Sequence, residues 1–171
     1  RLNFDSDTDT FIDDDISDLF TLLDKFDFAG VICHSRKRDK YSKLINEYKS
    51  IPYNFSEINS GVLVFKKNSK TSELFKNWKN FYYKYIEQTE GWDQPSLRVA
   101  LWSTNLKQYV LPVEYNVRPE SVLKKIRSMS SEVLGDKHLK PKIYHAHYSS
   151  DVHKNIFEID ELEILEKNLK K

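Results

Sequence analysis

Asp5, Asp7 and Asp9, then Asp13, Asp14 and Asp15, place six aspartates among residues 5–15. In extended chain, side-chain direction repeats every two residues, so Asp5 and Asp7 are expected to project to one side. Two carboxylates held together repel, and a hard divalent cation relieves that repulsion by taking their oxygens as ligands. The pattern is read as a metal site, with an acidic helix-capping turn as the alternative. Capping suits Asp13 to Asp15 better than Asp5 and Asp7, which lie well ahead of the helix start. An EF-hand loop beginning at Asp5 would need glycine and glutamate where the chain has Thr10 and Ile16. A haloacid-dehalogenase-like phosphotransferase needs D-x-D-x-T/V behind an apolar strand. Its two registers put Asp9 or Phe11 in the last place, so it stays as a further alternative.

The elements that would carry these residues alternate between strands and helices. Leu2 to Phe4 read as a strand entering the acidic turn, and Asp15 is a natural N-cap for a helix striped by Ile16, Leu19, Phe20, Leu22, Leu23 and Phe26. Phe28–Cys33 and Gly61–Phe65 are apolar runs of strand length. A helix is expected over 71–88, with Leu74, Phe75, Trp78, Tyr82 and Tyr85 on one side, broken at Gly91-Trp92. Asp93-Gln94-Pro95 opens the next helix, with Pro95 in the first turn. Strands follow at 108–113 and 142–145, and an amphipathic helix at about 156–170. Residues 34–54 show no period and carry Arg36, Lys37, Arg38 and Lys40, so a mobile basic loop is expected there. It is read as a solvated loop or as an acceptor or phosphate contact. Trp92, beside Asp93, is the candidate for stacking on a ligand ring. The alternation predicts an α/β domain.

The 171 residues suit one domain with its own core. Four glycines, five prolines and one cysteine exclude collagen-like and disulfide-scaffold classes. Lys and Arg total 27 against 26 Asp and Glu, which gives no reason to expect nucleic acid. No apolar stretch has membrane-span length. A lone cysteine suits a reducing compartment, so a cytoplasmic location is expected.

Four segments, in order, resemble the GT-A nucleotide-diphospho-sugar glycosyltransferases, nearest in flavour to the bacterial family 8-like enzymes. They are Leu2-Asn3-Phe4-Asp5-Ser6-Asp7 with the helix after it, Asn59-Ser60-Gly61-Val62, Asp93-Gln94-Pro95, and Ile143-Tyr144-His145-Ala146-His147. The resemblance implies a GT-A-like mixed sheet flanked by helices, spread over residues 1–171 as one partial domain. It implies transfer of a hexose from a nucleotide-diphosphate sugar to a glycan or lipid-linked acceptor, with retention favoured. Manganese or magnesium would be held by Asp5 and Asp7 of the DxD motif and by His145 or His147, and Asp5 would also reach the ribose. Asn59 and Gly61 would lie beside the donor sugar, Asp93 and Gln94 would act at the sugar and acceptor, and Lys154 would contact the diphosphate. Contact with a membrane surface is expected through a lipid-linked acceptor. The family carries a βαβ nucleotide-binding region before its DxD motif, whereas four residues precede Asp5 here. The chain is therefore expected to fall roughly 80 to 100 residues short of that enzyme. A non-catalytic binding module of the same fold is the alternative.

Overall fold

A computed structural model describes residues 2–7, 9–33, 35–117 and 141–145. The expected helix at 156–170, His147 and Lys154 lie outside the described residues.

Four strands form the main sheet, in the order β1 (Leu2–Ser6), β4 (Ile58–Lys66), β3 (Phe28–Ile32), β5 (Gln108–Leu111). The nine-residue β4 is central and runs antiparallel to both β1 and β3, while β3 and β5 are parallel. The sheet is thus mixed, with Val62, Leu63 and Val64 buried. Its alternating side chains feed two cores. Ala29, Val31, Val62 and Val64 pack with Leu19, Leu23, Leu111 and Ile143 on one face. Phe28 and Leu63 pack with Leu74, Leu97, Ala100 and Leu101 on the other. The second face is covered by α4 (Ser69–Thr89) and α5 (Gln94–Ser103).

The α4 boundaries have clear local causes. Asn68 accepts from the Thr71 N–H at 2.9 Å while the Thr71 hydroxyl accepts from Asn68 N–H at 3.1 Å, a reciprocal capping box. The helix ends at Glu90, which takes a left-handed φ of 55°, and Gly91 continues at φ 80°. A two-stranded sheet pairs β2 (Thr10–Ile12) with β6 (Ile143–His145) antiparallel, Thr10 opposite His145. Between β5 and β6, a 3₁₀ turn at Val113–Tyr115 leads into Asn116.

Two expectations change. The first helix, α1, is short (Asp18–Leu22) and is not capped by Asp15. The Asp15 carboxylate instead accepts from the Ser17 N–H and hydroxyl, at 2.8 and 2.9 Å, holding a local turn that delays the helix. The irregular reading of 34–54 gives way to α2 (Asp39–Leu44) and α3 (Asn46–Ser50). Tyr41, Ile45, Tyr48 and Ile51 are buried and pack with Tyr85 and Val99. That stripe is spaced four, three and three apart, a helical pattern obscured by the cations between its members. The cations are largely used internally. Lys37 Nζ donates to the carbonyls of Lys49 and Ile51 at 2.9 and 2.6 Å, and Lys40 pairs with Glu90 at 2.8 Å.

Candidate active site

The β1–β4 ladder ends with Ser6 opposite Val62, and one further bond, Asp7 N–H to the Gly61 carbonyl at 3.0 Å, fastens the chain as it leaves the sheet. A tight turn follows, closed by Thr10 N–H on the Asp7 carbonyl at 3.1 Å. The turn sets Asp7 and Asp9 on the same spot, and the β2–β6 ladder delivers His145 to it. His145 Nε2 lies 3.2 Å from Asp9 Oδ1 and 3.6 Å from Asp7 Oδ2. The three ligand atoms lie within 4.8 Å of one another. His145 is 1% exposed, whereas the Asp7 side chain is 54% exposed, so the cluster opens to solvent on its acidic side. Partial burial raises the Asp7 carboxyl above its ordinary range, His145 opposes that, and the charges of Asp9, Asp93 and Asp5 reinforce it. Two hard carboxylates and one imidazole suit a divalent ion such as manganese, magnesium or zinc.

Behind His145 runs a buried polar chain. His145 Nδ1 is 3.0 Å from Asn116 Oδ1, and Asn116 Nδ2 donates to Asn59 Oδ1 at 2.8 Å. Asn59 Oδ1 also accepts from Gly61 N–H at 2.9 Å, while Asn59 Nδ2 meets Gln94 Oε1 at 3.4 Å. Gln94 Nε2 donates to Glu57 Oε2 at 2.6 Å, and the Tyr48 hydroxyl donates to the other Glu57 oxygen. Beside this chain, Ser60 Oγ donates to Asp93 Oδ1 at 3.0 Å. Burial raises the Asp93 carboxyl, with the Ser60 bond opposing. Asp93 sits at the N-cap position of α5 without a side-chain capping bond.

The four segments singled out in the sequence therefore meet in space. Asp7 and His145 converge, and Asn59, Gly61 and Gln94 stand directly behind His145. Asp5 lies apart from the three-ligand cluster, exposed on β1 opposite Leu63. Trp92 is half exposed and carries the Arg38 guanidinium 5.2 Å from its ring centroid. Three participants had no part in the sequence motifs: Asp9, Asn116 and Glu57. Asp9 did have a signal, because Asp5-Ser6-Asp7-Thr8-Asp9 holds two overlapping D-x-D registers.

The profile of the nucleotide-diphospho-sugar transferase family matches residues 5–157. The chain belongs to that family. Three solved structures share the fold of this transferase domain. The galactosyltransferase LgtC in complex with donor and acceptor sugar analogues aligns with a TM-score of 0.53 at 15% identity, over 86% of this chain and 52% of its own. An active-site mutant of LgtC gives 0.56 at 15% identity, over 96% and 60%. Mouse xyloside xylosyltransferase 1, in its apo form, gives 0.51 at 15% identity, over 85% and 57%. The chain thus spans between about half and three fifths of those proteins. The GT-A-like fold expected from the motifs is the fold observed, and the likeness to LgtC is consistent with family 8. A search of curated protein sequences finds no match. No helix among the described residues is long and apolar enough to cross a membrane.

Glu57 gives this chain a pH-dependent component of stability. The residue is fully buried, and burial raises its carboxyl above the ordinary glutamate range, against the bonds from Tyr48 and Gln94. A raised folded-state pKa means that the folded chain holds the proton more tightly than the unfolded chain. The group's contribution is then complete below the ordinary glutamate value and is lost as pH rises through the folded value. Thermal melts of wild type and Glu57→Gln between about pH 4 and 8 are expected to show a decline above the ordinary glutamate range in wild type only. Parallel curves would contradict this.

Proposed function

We propose that the chain is the catalytic portion of a metal-dependent glycosyltransferase, moving a hexose from a nucleotide-diphosphate sugar to a glycan or lipid-linked acceptor. The carrying observation is the convergence of Asp7, Asp9 and His145 next to the buried Asn59–Gln94 pair, in a chain of this family. Asp7, Asp9 and His145 would hold the cation. Manganese or magnesium there would neutralise charge developing on the departing nucleoside diphosphate.

Asn59 and Gln94 are fixed by each other and by Glu57, so their amides would meet the donor sugar already oriented. Asp93, steadied by Ser60 and raised by burial, would face the sugar and acceptor from the start of α5. Asp5, exposed outside the cluster, is the candidate for ribose contact, and Lys154 and His147 remain candidates for the diphosphate. The family 8 resemblance supports retention of the anomeric configuration, which NMR of the product anomer would read. A lipid-linked acceptor would bring the work to a cytoplasmic membrane surface.

The test is release of nucleoside diphosphate by the protein, assayed over a panel of nucleotide sugars with manganese and with chelator. Turnover is expected only with metal. Asp7→Asn with Asp9→Asn should lower it on the order of 100-fold or more, the scale on which losing a charge-stabilising group acts. An unchanged rate in that double variant would sink the metal assignment. Cation and nucleotide-sugar binding without turnover would instead identify a binding module of the same fold.

A further inference from the structure

We infer that Asn116 is a positioning residue for the cation site: it holds His145 as the Nδ1–H tautomer, so that the Nε2 lone pair is turned onto Asp7 and Asp9. The inference rests on the cation reading above and adds a residue to it.

Groups that can only donate set the orientation of the chain. A backbone N–H has no acceptor capacity, so the Asn59 atom 2.9 Å from Gly61 N must be the amide oxygen. That oxygen also lies 2.8 Å from an Asn116 amide atom, which must then be the nitrogen, since two carbonyl oxygens at that distance repel. The remaining end of Asn116, 3.0 Å from His145 Nδ1, is therefore its oxygen. An oxygen there needs a hydrogen on Nδ1. In the neutral ring the lone pair is left on Nε2, facing Asp9 and Asp7 at 3.2 and 3.6 Å.

With the Glu57 carboxylate ionised, a second donor-only group supports the same polarity from the other end. Arg38 N–H donates to the Tyr48 hydroxyl at 2.8 Å, so the hydroxyl hydrogen goes to Glu57. The other Glu57 oxygen accepts from Gln94 Nε2 at 2.6 Å, leaving Gln94 Oε1 for Asn59 Nδ2. The two anchors agree on the orientation of Asn59. Glu57, Gln94, Asn59, Asn116 and His145 are all buried, so water is poorly placed to replace a partner and reverse the chain.

The competing tautomer shows what Asn116 contributes. With the hydrogen on Nε2, His145 would donate to Asp9, and the site would be closed by its own proton. Asn116 Oδ1 opposes this, because the Nδ1 lone pair would then face a carbonyl oxygen at 3.0 Å. The Nδ1–H form in turn sets the Nε2 lone pair against the Asp9 and Asp7 carboxylates, a repulsion that a cation between them relieves. Fixing the tautomer of a ligating histidine through its second nitrogen is a general device of metal sites. Here it is supplied by an asparagine, whose own orientation is set by the backbone of Gly61.

The tautomer is read by long-range ¹H–¹⁵N NMR of the metal-free protein, at a pH where titration of the ring itself shows it to be neutral. Wild type is expected to be Nδ1–H. Asn116→Leu should move to Nε2–H and lose about 10- to 100-fold in manganese affinity, measured by calorimetry. Asn116→Asp keeps an acceptor toward Nδ1 and should retain the Nδ1–H form, which a merely structural role for the residue would not predict. An Nε2–H ring in wild type would overturn the inference. So would an Asn116→Leu protein that is folded by circular dichroism and keeps both tautomer and affinity. Nδ1–H rings in wild type and Asn116→Asp, lost in Asn116→Leu, but with no manganese binding by any of them, would sustain the tautomer assignment and overturn the cation reading alone.

Discussion

Gly61→Ala is expected to disable the proposed cation site while the rest of the sheet stays recognisable. A Cβ on residue 61 would lie 2.0 Å from His145 Cε1, 2.6 Å from Nδ1 and 2.9 Å from Asn59 Oδ1. The first two distances are far inside van der Waals contact. Backbone freedom is not the reason for glycine here, since Gly91 is the only described glycine with a positive φ. What the position requires is an empty space beside β4 for an imidazole. The ring has little room to retreat, being buried and held by Asn116 and the β2–β6 ladder. Overpacking of this kind costs roughly 2 kcal/mol, about 4–8 °C in melting temperature at this size. The larger effect falls on binding, because the ring must leave the place where its Nε2 meets both carboxylates. Manganese titration is expected to show a loss on the order of 100-fold or more, the upper end of what disturbing a ligand's support costs. Wild-type affinity in this variant would show that His145 is not a ligand.

The largest effect on folding is expected from Arg98→Leu. Arg98 is fully buried on α5, and its guanidinium is spent on main-chain carbonyls. Nε and Nη2 donate to Phe55 O at 3.0 and 2.7 Å, Nη2 also to Pro52 O at 3.0 Å, and Nη1 to Tyr48 O at 3.4 Å. The group also lies 4.6 Å from the Tyr48 ring centroid. Two of these carbonyls, those of Pro52 and Phe55, belong to the turn that joins α3 to β4, and the third, that of Tyr48, lies in α3; Pro52 O also accepts from Phe55 N–H at 3.1 Å. Leucine fills part of the volume and takes the side-chain donor from the Phe55 and Tyr48 carbonyls, a loss of about 1–3 kcal/mol for each acceptor that stays away from water. A net loss of about 3 kcal/mol or more is expected in urea denaturation. Lysine should rescue poorly, because one ammonium cannot reproduce the fork that spans three carbonyls. A loss below about 1 kcal/mol, within the range of ordinary surface substitutions, would refute this role.

How much was legible follows from which interactions are local. The runs at 28–33 and 61–65 are apolar on both faces of a covered sheet, so composition marks them without knowledge of their partners, though not the polar start of β4. The helix α4 carries its own stripe and cap, and was visible to within two residues at its start. The site was legible where a motif keeps its donors close in sequence, as at Asp7, Asn59, Gly61 and Gln94. Asp9 escaped because the D-x-D motif was registered on Asp5 and Asp7, whereas β1 ends at Ser6 and the turn beyond it brings the second register, Asp7 and Asp9, to His145. Asn116 and Glu57 escaped for a different reason. Each owes its place to partners far away in the chain: Asn116 meets Asn59, 57 positions earlier, and Glu57 meets Gln94, 37 positions later. A single asparagine or glutamate has no spacing to announce such a role. The helices α2 and α3 were hidden by the lysines and arginines that lie between their buried aromatic and aliphatic residues.

The β2–β6 pairing has a consequence for where this structure opens first. It is three residues long on each strand, and it joins segments more than a hundred positions apart, while the four-stranded sheet has its own, longer ladders. Short pairs belong to the less protected part of a fold, even though β6 is also bonded to Val117 on its other side and Ile143 packs into the core of the main sheet. Asp7 is fastened to the large sheet through Gly61, but His145 arrives on the small one. The three candidate ligands therefore sit across a seam between two pairings of different length. Fraying on the weak side would unmake the cluster before any strand of the main sheet separated. An ion bound across that seam would act as a rivet, drawing the lifetime of the small pair toward that of the main sheet.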